Sequence, residues 1–136
     1  MKRLAAFVLI AALCVTTAGC QRTQPAAPPS QAMVSAANAG ESVALGVGGM
    51  LTVALPANPS TGYSWVPTNT PEFLFQQGQP TFETSGTANN VGVGGTEVLR
   101  FKAAAPGSGT LTLDYLRPWE TTSAPVKRFT VKVEAK

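Results

Sequence analysis

Several segments of the chain alternate apolar and polar residues with a period of two. In the first, Leu51, Val53 and Leu55 occupy every second position. Three further segments of this kind cover residues 99–103, 110–115 and 128–134. This alternation is typical of strands with one buried and one solvated face, and no segment keeps a 3.6-residue repeat long enough for a helix. The pattern therefore predicts an all-β protein.

Glycine- and proline-rich turn signals divide this region into about seven short strands. They lie at residues 48–49, 56–62, 67–71, 78, 85–95, 106–109 and 118–125. Antiparallel strands with one apolar face each pack most economically as two sheets face to face. We therefore predict an immunoglobulin-like antiparallel β-sandwich of about seven strands without a disulfide. Tyr63 and Trp65 on the third strand are expected at the centre of its core, and a closed barrel is the alternative.

Residues 1–19 have the pattern of a secretory signal peptide. Lys2 and Arg3 form a basic start, residues 4–15 are largely apolar, and small residues precede Cys20. The apolar segment is too short for a membrane-spanning helix. We therefore expect this leader to be removed on export.

Cys20 and the small residues before it resemble the processing site of bacterial lipoproteins. The resemblance implies a lipid on the Cys20 thiol, and Gln21 after it favours anchoring in the outer membrane of the cell envelope. Cys14 lies within the leader, so acylation would also account for the single cysteine that remains. The alternative is a secreted protein with a free Cys20 thiol.

Residues 20–37 contain three prolines and few residues that could form a core. This composition predicts a flexible, Pro- and Ala-rich tether that begins at the lipidated Cys20. Residues 38–136 remain as one domain, a sufficient length for a packed core, and we expect it to be monomeric.

Charge excludes one class of function. The chain has ten Lys and Arg residues and seven Asp and Glu residues. Without Lys2 and Arg3 the counts are eight and seven, so the net charge falls to +1. No basic cluster is interleaved with aromatic residues, and we therefore expect no nucleic-acid partner.

The residue types also argue against catalysis. The chain has no histidine, and acylation of Cys20 would leave no free thiol. Histidine-based triads, thiol nucleophiles and the usual zinc sites are therefore excluded. Scattered carboxylates remain, and we expect them to be solvated because they form no motif. They are Glu72, Glu83, Glu97, Asp114 and Glu120. We predict no enzyme activity, no catalytic residue, no metal and no cofactor.

The segment Asn58-Pro59-Ser60-Thr61-Gly62-Tyr63-Ser64-Trp65 has the pattern of an exposed turn that leads into a strand. Pro59 favours an extended Asn58, and Gly62 can adopt a positive φ without strain. Ser60 and Thr61 can hydrogen-bond within the turn. By itself this segment is compatible with a purely structural turn.

Two other connections are expected at the same end of the sandwich as this turn. One contains Gly92, Val93, Gly94 and Gly95, without the helix and lysine of a phosphate-binding loop. The other contains Arg117-Pro118-Trp119. An exposed tryptophan beside a cation is typical of a binding hot spot, although the ring could instead fold back over the end of the sandwich.

These three motifs, in this order, resemble the signature of the chagasin-type inhibitors of papain-like cysteine proteases. In that family Asn-Pro-[Ser/Thr]-Thr-Gly-[Tyr/Phe]-x-Trp is followed by Gly-x-Gly-Gly and then by Arg-Pro-[Trp/Phe]. The matching positions are Asn58 to Trp65, Gly92 to Gly95 and Arg117 to Trp119. The resemblance covers the chain from about residue 40 onward.

The resemblance implies a reversible, tight-binding inhibitor that blocks the protease cleft with three loops. The loop of Asn58, Pro59, Ser60, Thr61, Gly62 and Tyr63 would enter the cleft, with Thr61 near the catalytic cysteine and histidine. The other two loops would contact the cleft walls. The alternative is an envelope-anchored, immunoglobulin-like lipoprotein that recognises another protein or a glycan.

Overall fold

The computed structural model describes residues 26–84 and 94–136, and these residues form nine strands. The strands are β1 (Gln31–Ser35), β2 (Ser42–Leu45), β3 (Met50–Ala57), β4 (Ser64–Asn69), β5 (Leu74–Gln76), β6 (Thr81–Thr84), β7 (Gly95–Ala103), β8 (Gly107–Leu116) and β9 (Lys127–Ala135). The helical segments of these two ranges are the short 3-10 turns Ala36–Asn38 and Pro59–Thr61. Neither is long enough to cross a membrane.

The strands form two sheets. Sheet A has the order β1-β3-β7-β5, and β6 also pairs with β7. Sheet B has the order β2-β9-β8-β4. One core cluster contains buried residues of both sheets, so the two sheets pack face to face. The predicted immunoglobulin-like sandwich is confirmed, and the described residues contain no cysteine that could join the sheets by a disulfide.

The predicted alternation places the core correctly. Leu51, Val53 and Leu55 of β3 are fully buried, and so are the matching residues of its neighbours. Those neighbours are Leu99, Phe101 and Ala103 of β7, Leu111 and Leu113 of β8, and Val131 and Val133 of β9. Apolar burial of this kind contributes most of the stability of the fold.

The expected tether is wrong for residues 31–37. Residues 31–35 form β1, which pairs in parallel with residues 50–54 of β3. Val34 is only 3% exposed and belongs to the core. The backbone hydrogen bonds and this one apolar side chain hold the segment on the sheet despite its small, polar neighbours. The folded domain therefore begins before residue 38.

Both additional edge strands are parallel, which the alternation did not predict. β2 pairs in parallel with residues 132–135 of β9 at one edge of sheet B. The 3-10 turn Ala36–Asn38 carries the chain from β1 in sheet A to β2 in sheet B. The remaining strand pairs are antiparallel, as expected.

The two aromatic residues expected at the centre of the core have different positions. Trp65 lies in β4, is 5% exposed, and donates a hydrogen bond from Nε1 to the Pro56 carbonyl at 3.1 Å. Tyr63 precedes β4 and is only partly buried against the core. Its ring stacks on Tyr115 at a centroid distance of 5.4 Å. Tyr63 therefore lies at the edge of the core.

Two carboxylates that were expected to be solvated are buried. Glu97 lies on the core-facing side of β7 and accepts a hydrogen bond from the Trp65 backbone N–H at 3.0 Å, which links the two sheets. Burial raises the pKa of Glu97, although the Trp65 N–H acts in the opposite direction.

Asp114 lies on the outer side of β8 beneath Arg128, whose Nε and Nη2 donate to its two carboxylate oxygens at 2.7 and 3.0 Å. This bidentate hydrogen bonding lowers the pKa of Asp114.

Candidate functional site

The β3–β4 connection forms a closed turn. Asn58 is extended, with φ −136° and ψ 95°, and Pro59 begins the 3-10 turn. The Asn58 side-chain oxygen accepts hydrogen bonds from the Ser60 N–H at 3.2 Å and the Ser60 hydroxyl at 2.6 Å. The Thr61 hydroxyl donates to the Asn58 carbonyl at 2.6 Å. Gly62 ends the turn with φ +79°, so both predicted constraints on the backbone are present.

This turn is also fixed to the body of the sandwich. The Asn58 N–H donates to the hydroxyl of Tyr115 on β8 at 3.0 Å. Tyr115 is 8% exposed and packs against Trp65 at a centroid distance of 5.0 Å. The turn therefore rests on a buried aromatic residue, which limits its movement relative to the sheets.

Trp119 lies against this turn and remains exposed. A Cβ added at Gly62 would be 2.5 Å from Trp119 Cη2, so the indole packs directly on the glycine backbone. Trp119 is nevertheless 67% exposed, the largest exposed fraction among the aromatic residues that the structure describes. The ring is therefore not folded into the core, and most of its surface is accessible to a partner.

Arg117 links the β8–β9 connection to the same turn. Its Nε donates to the Thr61 carbonyl at 3.2 Å, and its guanidinium lies 4.6 Å from the centre of the Tyr63 ring. Its Nη1 also forms an ion pair with Glu120 at 3.0 Å. This hydrogen bond raises the pKa of Arg117 and lowers that of Glu120. Glu120 is therefore a partner of Arg117 and not an isolated solvated carboxylate.

The third connection reaches the same end of the sandwich. Gly95, the first residue of β7, pairs with Ala57 at the end of β3. A Cβ added at Gly94 would lie 3.6 Å from the Ala57 carbonyl oxygen. Gly92 and Val93 lie outside the described residues. We call this end, with residues 58–62, 94–95 and 117–119, the loop pole.

The structure thus brings Thr61, Gly94 and Trp119 to one end of the sandwich, as the sequence predicted. Tyr115 and Lys127 were not singled out from the sequence, yet both line a groove at the loop pole. Tyr115 was recognised only as an apolar position of a strand, and Lys127 carries no motif. Within residues 26–84 and 94–136, no group of side chains could hold a metal ion.

The loop pole thus presents an exposed indole on a hydrogen-bonded turn at one end of a β-sandwich. Residues 44–133 match the family described as "Chagasin family peptidase inhibitor I42". The chain therefore belongs to the chagasin family of peptidase inhibitors, whose members are inhibitors and not enzymes.

Individual relatives agree with this assignment. The chain is 31% identical to chagasin of Trypanosoma cruzi over 113 residues, which cover 75% of this chain and 96% of chagasin. It is 32% identical to amoebiasin-2 of Entamoeba histolytica over 88 residues, which cover 62% of this chain and 68% of the relative. The crystal structure of the cysteine protease inhibitor EhICP2 from Entamoeba histolytica has the same fold, with a TM-score of 0.68 and a sequence identity of 22%. The match covers 78% of this chain and 96% of EhICP2. The solution structure of amebosin gives a TM-score of 0.64 at 26% identity, and covers 79% of this chain and 99% of that one.

Proposed function

We propose that the domain is a reversible inhibitor of papain-like cysteine proteases and that its loop pole fills the active-site cleft. One observation carries this proposal: Trp119 packs on Gly62 while Arg117 bonds the Thr61 carbonyl. These contacts join two connections that are distant in sequence into one preformed surface. A preformed surface loses little conformational entropy on binding, which favours tight association.

The β3–β4 turn is suited to enter a narrow cleft without being cleaved. Ser60, Thr61 and Gly62 have small side chains, so the backbone can approach a protease surface closely. The Thr61 hydroxyl and the Asn58 amide oxygen are both used inside the turn. A substrate must instead lie extended with its carbonyl aimed at the nucleophile. The turn therefore blocks the cleft but presents its backbone poorly for attack.

The other two connections would contact the walls of the cleft. Trp119 offers a large ring whose position is already fixed by Gly62, and tryptophan is enriched at binding hot spots. Gly94 and Gly95 carry no side chain, so their backbone could approach the protease more closely than other residues allow. Gly92 and Val93 are assigned to the same contact by the family pattern alone.

A lipid anchor at Cys20 is compatible with this mode of binding. Gln31 of β1 pairs with Met50 at the start of β3, while the other end of β3 leads into Asn58. The eight residues of β3 separate these two ends by about 25 Å. An outer-membrane anchor would therefore hold the domain at the end opposite the loop pole and leave the loops accessible. Mass spectrometry of the membrane-extracted chain should find acylated Cys20, and an unmodified thiol would contradict the anchor.

Titration of papain with the purified chain tests the inhibitory function. We expect competitive inhibition that is fully recovered on dilution, because no covalent step is involved. If the chain does not inhibit papain or a cathepsin at micromolar concentration, the inhibitor proposal is wrong for these proteases. Recognition of another envelope protein or a glycan would then be the better account.

A further inference from the structure

A groove at the loop pole contains a cation that the family motifs do not include. The groove has a volume of about 370 Å³ and is lined by Pro56, Ala57, Asn58, Gly94, Gly95, Tyr115 and Lys127. It lies between the β3–β4 turn and the start of β7. A partner that covers the loop pole would therefore also cover this groove.

The strand register directs Lys127 into the groove. Lys127 lies directly opposite Tyr115 in the antiparallel β8–β9 ladder. Directly opposite residues of antiparallel strands project from the same face, with Cβ atoms about 5 Å apart. Tyr115 faces the core, so Lys127 also projects from the core-facing side, at the mouth of the sandwich. Its neighbour Arg128 projects outward and bonds Asp114.

Lys127 carries a positive charge that no carboxylate neutralises in the described part of the chain. The ion pairs there join Arg117 to Glu120, Arg128 to Asp114, and both Lys132 and Lys136 to Glu134. The loop pole therefore presents one cation without an ion-pair partner among the described residues, inside a groove.

The floor of the same groove supplies a second donor. The Tyr115 hydroxyl oxygen accepts the hydrogen bond from the Asn58 N–H, so its own proton remains available for donation. The Lys127 ammonium adds up to three N–H donors. A hydroxyl and an ammonium on neighbouring residues suit a carboxylate, because hydrogen bonds to ionised oxygens are the stronger ones.

We propose that this groove receives an aspartate or glutamate side chain from the rim of the protease cleft, with Lys127 as its ionic partner and Tyr115 as its hydrogen-bond donor. This inference rests on the inhibitory function proposed above. It makes Lys127 a specificity-determining residue: proteases with a carboxylate at the facing position bind more tightly than those with a neutral or basic residue.

The test compares the inhibition constants of the full-length chain and its Lys127→Glu and Lys127→Met variants against papain and two further papain-like proteases. Against a protease with the facing carboxylate, Lys127→Glu should raise the inhibition constant about tenfold or more, and Lys127→Met should raise it less. Both effects should shrink as the salt concentration rises, because ions screen the charge. Replacing the protease carboxylate by its amide should remove the difference between the parent chain and Lys127→Met.

Lys102→Glu is the matched control. Lys102 is an exposed lysine that lies opposite Met50 and Phe75 in sheet A, towards the end away from the loop pole. The Lys102→Glu variant should leave the inhibition constant unchanged within about twofold, although it alters the net charge as much as Lys127→Glu does. If the parent chain inhibits but Lys127→Glu matches it against every protease, the groove proposal alone is overturned. If the parent chain inhibits none of them, the proposed function is overturned together with it.

Discussion

The contact between Gly62 and Trp119 can be tested by adding one carbon atom. In Gly62→Ala the new Cβ would lie 2.5 Å from Trp119 Cη2 and 2.9 Å from Cζ2, whereas non-bonded carbon atoms prefer about 3.5–4.0 Å. Gly62 also has φ +79°, a conformation that costs other residues about 1–2 kcal/mol. The variant should therefore lose about that much stability, and its indole must move off the turn.

The effect of the displaced indole can be separated from the backbone strain. Gly40 has φ +81°, and no described atom lies within 4 Å of the position that its Cβ would occupy. Gly40→Ala should therefore show a similar loss of stability without disturbing Trp119. We expect Gly62→Ala to raise the inhibition constant for papain about tenfold and Gly40→Ala to change it less than about twofold.

Thermal unfolding and enzyme inhibition, measured on the same preparations, decide this comparison. A loss of about 1 kcal/mol lowers the melting temperature of a domain of this size by several degrees. If both variants lose stability but Gly62→Ala inhibits as well as the parent chain, the Trp119 position does not matter for binding. If both variants weaken inhibition equally, the effect comes from backbone strain and not from the indole.

Three further predictions concern the loops and the two buried carboxylates. Trp119→Ala should raise the inhibition constant about thirtyfold, which corresponds to roughly 2 kcal/mol of binding free energy. Thr61→Ala should raise it less, because the turn still obstructs the cleft. An unchanged inhibition constant for Trp119→Ala would refute the hot spot. Burial raises the pKa of Glu97, so its contribution to stability is complete below its ordinary pKa and is lost as the pH rises through the raised value. Glu97→Gln should remove this decline in the free energy of unfolding, measured by urea titration at a series of pH values above the ordinary Glu pKa of about 4, and an unchanged pH profile would contradict it. The hydrogen bonds from Arg128 lower the pKa of Asp114, so its contribution is present above the ordinary Asp pKa and is lost as the pH falls through the lowered value. Asp114→Asn should therefore be less stable than the parent chain near neutral pH, and the stabilities of the two proteins should converge in strong acid. A stability difference that does not change with pH would show that Asp114 does not titrate in this way.

The sequence predicted those parts of the fold that follow from alternation and turn chemistry. Leu51, Val53 and Leu55 are buried because a strand with one face in a core must place every second residue there. The Asn58–Gly62 turn could be predicted because Pro59 and Gly62 restrict the backbone locally, whatever the rest of the chain does.

The features that the sequence did not predict depend on contacts between distant residues. β1 has little apolar content of its own, and it is a strand because β3 offers an edge for pairing. Glu97 shares the core-facing side of β7 with Leu99, and its buried carboxylate accepts a hydrogen bond from the Trp65 N–H on the opposite sheet, a contact that the sequence pattern does not reveal. The alternation of β9 could place Lys127 on the core-facing side, but only the pairing of β8 with β9 brings it beside Tyr115.

A crystal structure of the chain bound to papain would test the central claim most directly. The account predicts that Thr61 lies within the active-site cleft, with Trp119 and Gly94 against its walls and the start of β3 turned away from the enzyme. A complex in which the cleft is open, or in which papain contacts the opposite end of the sandwich, would contradict it.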